Sequence, residues 1–162
     1  MGSDGAGVVR LARGEGRALA AIAAASRPRW PDVIRGLGLD LADIDRVARL
    51  LGRHPERARV RLFTTGERAY CDARAEPARH FAARFAAKEA AYKALAGSEE
   101  ARHIHWQDIE VVNAPLDGRP TLKLHGLAAK RAAELGVSSI YVTLTHSNLV
   151  AAAVVLLESA AD

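Results

Sequence analysis

One cysteine, Cys71, is all that this chain has, so it can build neither an internal disulfide framework nor a cysteine-rich zinc site. Aromatic residues are scarce too: two Trp, three Tyr and three Phe amount to 5% of the 162 residues. Any core must therefore be assembled with few bulky anchors. No apolar run reaches the length of a membrane span. The N-terminal alanines are interrupted by Arg10, Arg13, Glu15 and Arg17, which makes a poor signal peptide. No P-loop, GxSxG or dinucleotide fingerprint is present. The expectation left standing is a cytoplasmic protein with one domain of ordinary size.

What is abundant is alanine, at 34 residues, within an apolar content of 49%. That composition suits helices that pack closely. The bases are nineteen arginines and only four lysines, and arginine is the better reader of phosphate and carboxylate groups. The net charge of +4 is unevenly spread. Residues 1–31 hold five arginines against Asp4 and Glu15, and residues 43–86 hold ten arginines against six acids. A nucleic-acid binder would carry a broad basic face, often with interleaved aromatics, which this pattern does not provide. A local basic surface that meets an acidic partner or a phosphorylated ligand fits better.

Glycines at 2, 5, 7, 14 and 16 punctuate residues 1–31, and Pro28 and Pro31 close them. This reads as an N-terminal extension, flexible or partly helical, ahead of a single domain over 32–160. Residues 33–42 read as a strand whose glycines, Gly36 and Gly38, suggest close backbone approach. Asp43 is a candidate N-cap for a helix with Ile44, Val47, Leu50 and Leu51 on one face. Residues 56–64 are ambiguous between helix and strand. Thr65 is a candidate cap for a short helix to about residue 74, and Pro77 opens the longest helix, to about residue 96. The texture then becomes β. Strands are expected at 108–113 and 121–124 around an Asp117-Gly118 turn, then a short helix at 127–135, then strands at 139–146 and 149–157. The fold class is α+β, with one early strand, a helical middle and a late antiparallel meander.

Few residues stand out for chemistry. Asp40 ends an otherwise apolar strand, where ligands bind in α/β-type sheets, or where an acid merely caps the following helix. Glu89 stands four residues before Lys93, the spacing of an ordinary surface ion pair. Its neighbours Phe81, Phe85, Ala86 and Tyr92 suggest instead an inward-leaning face, where an ionised carboxylate needs a partner. Asp40 and Glu89 together would offer two hard oxygens to Mg²⁺. Arg84, Lys88 and Lys93 either belong to a solvated, alternately charged helix or neutralise a diphosphate near Glu89. His146 follows a strand, a position where polar surface histidines are common. His103 and His105 lack a cysteine partner for zinc, and Cys71 reads as a small buried side chain.

The blocks GLGLDLADIDRV, FTTGERAYC, FAARFAAKEAAYKAL, WQDIEVVN…GRPTLKLHG and VTLTHSNLVAAAVVLLE follow one another over about residues 33–158. Together they resemble the holo-acyl-carrier-protein synthase type of phosphopantetheinyl transferase, most specifically around Asp40 and Glu89. The resemblance implies a 4′-phosphopantetheinyl transferase-like fold, an antiparallel sheet packed against a long helix. It also implies a homotrimer with active sites at the subunit clefts. The implied reaction moves the 4′-phosphopantetheine arm of coenzyme A onto a serine of an acidic apo acyl or peptidyl carrier protein and releases 3′,5′-ADP. By similarity, Asp40 and Glu89 hold Mg²⁺, Glu89 also orients or deprotonates the serine, and Lys93 lies near the diphosphate. Arg84 and His146 match positions near the 3′-phosphate of coenzyme A. Lys88, Gly97 and Ser98 join the coenzyme-contacting set. Arg46, Leu50 and Arg53, on the helix after Asp40, match a carrier-protein docking surface.

Two features depart from that pattern. The family's Gly-Thr-Gly segment after the long helix is here AGSEEARHIHW, which keeps Gly97 and Ser98 but adds Glu99 and Glu100. The 31-residue leader exceeds the short members. These departures motivate an alternative, a non-catalytic relative that binds carrier protein or coenzyme A as a scaffold domain of a larger synthase. A third reading is an α+β oligomerisation module unrelated to coenzyme A.

Overall fold

The structure is a computed structural model that describes residues 33–160, so the expected extension over 1–31 lies outside the described residues. The early strand, β1 (Ile34–Asp43), runs straight into helix α1 (Ile44–Arg53). Asp43 is the hinge between them: its carboxylate accepts from the Arg46 backbone N–H at 2.7 Å, as an N-cap should. α1 buries Ile44, Val47 and Leu51 and turns its arginines outward. Leu50, expected on the buried face, is 40% exposed.

The ambiguous stretch after α1 is helix α2 (Pro55–Leu62). Pro55 ends one helix and starts the next, because its fixed φ suits the first helical position and its missing N–H costs nothing there. Helix α3 (Thr65–Asp72) is capped by Thr64, one residue earlier than expected. The spacing to Glu67 explains the shift. The Thr64 Oγ1 accepts from the Glu67 N–H at 3.2 Å, and the Glu67 carboxylate accepts from the Thr64 N–H at 2.9 Å, a reciprocal capping box.

Helix α4 (Pro77–Leu95) is the axis of the described domain. Alanines 82, 83, 86, 87, 90, 91 and 94 are all buried along it, with Phe81 and Leu95 near its ends. Small side chains let β1 lie almost against the helix backbone. A Cβ on Gly38 would stand 1.8 Å from the Ala90 carbonyl oxygen, and one on Gly36 would stand 2.1 Å from that of Ala94. Only glycine fits either place.

The late strands do not form one meander. β2 (Ile109–Asn113) and β3 (Pro120–Leu124) make a separate two-stranded sheet. Helix α5 (Gly126–Glu134) follows, then β4 (Ser139–His146) and β5 (Val150–Glu158). β1 pairs with the far edge of β5, giving the antiparallel order β1-β5-β4. The reason lies in β5, VAAAVVLLE: it is apolar at nearly every position, so neither edge nor face favours water, and it takes the centre. Asp40 faces Ala153 and His146 faces Ala151, which places both near one end of this sheet. α4 covers one face. On the other, Leu37, Leu39, Leu41 and Tyr141 are each at least 55% exposed.

Candidate active site

Asp40 shares the inner face of β1 with Gly36 and Gly38 and so points at α4. The Lys93 ammonium donates to its Oδ1 at 2.7 Å and to the Leu39 carbonyl at 3.0 Å. Lys93 therefore pairs across elements with Asp40, not along the helix with Glu89. The close approach of β1 to α4 brings a second acid within its reach. Glu89, one turn earlier and half-buried, has its carboxyl raised above the usual range by burial, then by the Asp40 charge, with Lys93 opposing.

The two acids open into a groove of about 480 Å³ that continues along α1. Arg46, Arg49, Leu50, Arg53 and Phe85 line it together with Asp40 and Glu89. Arg46 and Arg53 are two helical turns apart, with Leu50 between them, so the three form one stripe. The Asp43 cap starts α1 three residues after Asp40 and thereby sets the distance from acids to arginines.

The other expected contacts are distributed differently. Lys88 is fully buried: its Nζ lies 2.7 Å from the Glu67 carboxylate and donates to the Trp106 carbonyl at 2.8 Å. Burial pushes its pKa down and Glu67 draws it back up. The Val111 N–H donates to the second Glu67 oxygen at 2.9 Å. Lys88 thus answers a buried acid and is not a cation presented to a diphosphate. Arg84, at 3% exposure, is no part of a solvated helix face either. Its guanidinium sits 3.9 Å from the Tyr70 ring centroid and donates to Asn113 at 2.6 Å, while its Nε is buried with no acceptor. His146 is exposed, with its ring 6.4 Å from that of His80. Five residues separate Arg84 from Glu89, so they lie about 140° apart around α4. The fold gathers Asp40, Glu89 and Lys93 and keeps Arg84 on another side. Gly97, at φ 109°, turns the chain out of α4. The Ser98 hydroxyl accepts from the Ala101 N–H at 3.1 Å, and both residues line a recess with Tyr92 and Arg102.

Residues 36–154 match the family model described as 4′-phosphopantetheinyl transferase superfamily. The chain belongs to that superfamily. Among its relatives is a holo-[acyl-carrier-protein] synthase of Anaeromyxobacter sp. (strain K), 49% identical over 129 residues that cover 78% of this chain and 97% of that one. The synthase of Methylobacterium radiotolerans is also 49% identical, over 78% of this chain and 95% of its own. The acyl carrier protein synthase of Mycobacterium tuberculosis superposes with a TM-score of 0.58 at 38% identity, covering 78% of this chain and 99% of that one. The Bacillus anthracis synthase, solved in complex with CoA (3′,5′-ADP), superposes with a TM-score of 0.63 at 28% identity over 79% of this chain and 99% of its own.

In this transferase a second recess, of about 290 Å³, adjoins the acids. Glu89, Tyr92, Arg102, Ile104 and Trp106 are among its lining residues. Trp106 stacks on Phe85, ring centroids 5.0 Å apart and 20° from parallel. Sequence reasoning named none of Tyr92, Arg102 and Trp106 as site residues. Tyr92 carried a signal, since it stands three residues after Glu89 and so on the same stripe of α4. Arg102 and Trp106 lie in two irregular turns, Glu100–His103 and Trp106–Asp108, where no periodicity assigns a face.

Proposed function

We propose that this transferase moves 4′-phosphopantetheine from coenzyme A to a serine of an acidic acyl or peptidyl carrier protein in the cytoplasm, and that it needs Mg²⁺. The observation that carries this reading is the single groove that holds Asp40 and Glu89 at one end and the Arg46, Leu50, Arg53 stripe at the other. A carrier helix seated on that stripe sets its serine beside the two acids, with electrostatic attraction guiding it in. The serine oxygen bonds to the phosphorus that bears the pantetheine arm. The bond from that phosphorus to the bridging oxygen breaks, and 3′,5′-ADP leaves with the electron pair. Glu89 orients the serine and takes its proton, directly or through a water. Its raised pKa suits a proton acceptor. Lys93 holds Asp40 in place and brings positive charge to the diphosphate.

Two carboxylates that face one groove, one of them disfavoured as an anion by burial and by the other, suit a hard divalent ion that takes one or two protein oxygens. Asp40 and Glu89 would hold it. When bound there, the ion would supply Lewis-acid neutralisation of the diphosphate charge.

The functional unit is a homotrimer on this reading. The uncovered sheet face, with Leu37, Leu39, Leu41 and Tyr141 exposed, is an apolar surface that a second copy would bury. Arg84 and His146 then meet the coenzyme 3′-phosphate across a subunit boundary, and the acceptor-seeking Nε of Arg84 suits an anion.

Mass spectrometry of apo carrier proteins incubated with coenzyme A and Mg²⁺ tests the reading: a gain of about 340 Da, the transferred arm, is expected. Carrier-protein binding without any gain, across a panel of carriers, would instead make the chain a scaffold domain.

A further inference from the structure

We propose that Arg102 is the residue that neutralises the coenzyme diphosphate beside Glu89. This rests on the coenzyme A reading above and adds a second cation to Lys93. The three cations nearest Glu89 along the helix already have partners within the protein. Lys93 is 2.7 Å from Asp40, Lys88 is sealed against Glu67, and Arg84 lies under Tyr70 and bonds Asn113. Charge arithmetic then leaves a deficit. Asp40, Glu89 and Lys93 sum to one negative charge, and a divalent ion turns that into one positive. The diphosphate of coenzyme A brings two negative charges, so one more cation is called for.

Arg102 is placed to supply it. It lines the recess that contains Glu89 and also the adjoining one formed by Tyr92, Gly97 and Ser98. It is 72% exposed, and its contact with Glu99 is long, 3.5 Å between two exposed groups. Such a pair is easily exchanged for a better one. A guanidinium matches two phosphate oxygens with parallel N–H donors, which Glu99 does not engage at that distance. The acidic loop therefore does not repel the ligand outright: Glu99 holds Arg102 at the mouth of the recess until a phosphate displaces it.

The test is calorimetric titration of the full chain with coenzyme A and with 3′-dephospho-coenzyme A, alongside transfer kinetics, for wild type, Arg102→Ala and Arg102→Lys. Arg102→Ala should weaken binding of both ligands by about tenfold or more, and Arg102→Lys by less. The KM for coenzyme A should rise in parallel while the KM for the carrier protein stays within about twofold. Thermal melting should not move, because the side chain is exposed. Unchanged binding of both ligands overturns the proposal. So does a loss confined to coenzyme A, which would assign Arg102 to the 3′-phosphate. If Arg102→Ala weakens binding but the wild type transfers nothing, the transfer reading fails and Arg102 still stands as a coenzyme ligand.

Discussion

Glu89 works against the fold that carries it. It is half-buried beside another carboxylate, and at neutral pH both burial and Asp40 disfavour its ionised form. Glu89→Gln should therefore melt no lower than wild type in a chelator, and Mg²⁺ should raise the melting temperature of wild type but not of the variant. The same change should reduce transfer by at least about a hundredfold, read by mass spectrometry of the carrier. Cys71 is the opposite kind of residue, fully buried and inert. Burial, only partly offset by Arg84, lifts its thiol to about 11 from 9.0. Since it is the only cysteine, one thiol titration reads it alone. The native protein should react at pH 8 about a hundredfold more slowly than the urea-unfolded chain, in line with the thiolate fraction. The folded state keeps a proton that the unfolded chain loses above pH 9. Stability from this group is thus complete below pH 9 and is lost as pH rises to about 11.

At the scale of elements, α4 depends on what it touches. Lys88 and Glu67 form a fully buried pair, so removing one charge strands the other. Lys88→Met should cost about 3–5 kcal/mol in urea unfolding, and Lys88→Met with Glu67→Gln should cost less. Gly38→Ala would drive a Cβ into the Ala90 carbonyl and should cost about 3 kcal/mol or leave the protein insoluble. Much of this layer was legible. The cap at Asp43, the start at Pro77 and the close approach at Gly36 and Gly38 are local signals, and local signals survive folding. What failed was non-local. The partner of Lys88 stands 21 residues away on another helix, and that of Lys93 stands 53 residues away on β1. The i,i+4 rule names only the neighbour along the same helix. The pairing of β1 with β5 was equally hidden, because β-strand patterns show which face is buried but not which strand lies alongside.

At the largest scale, charge and apolar surface are separated among the described residues. Arginines crowd α1 and α2 beside the groove, while the outer sheet face is apolar. Arg46→Glu with Arg53→Glu should raise the KM for the acidic carrier by about tenfold or more and remove most of its salt dependence, with the KM for coenzyme A unchanged. If the proposed trimer forms through the sheet face, Leu39→Asp should lower the mass read by light scattering and abolish transfer, although Asp40, Glu89 and Lys93 stay together. The two assays separate the proposed carrier-docking stripe from the proposed subunit-contact face.

The stack of Trp106 on Phe85 has a practical consequence. Phe85 lines the groove with Arg46, Leu50 and Arg53, and Trp106 lines the recess beside Glu89. One indole ring therefore sits where the groove and the recess meet, the junction of the two proposed substrate paths. With Trp30, the only other tryptophan, changed to phenylalanine, the intrinsic fluorescence of the protein becomes a label-free signal from that junction. Stopped-flow emission would then time the arrival of coenzyme and carrier separately and show which one binds first.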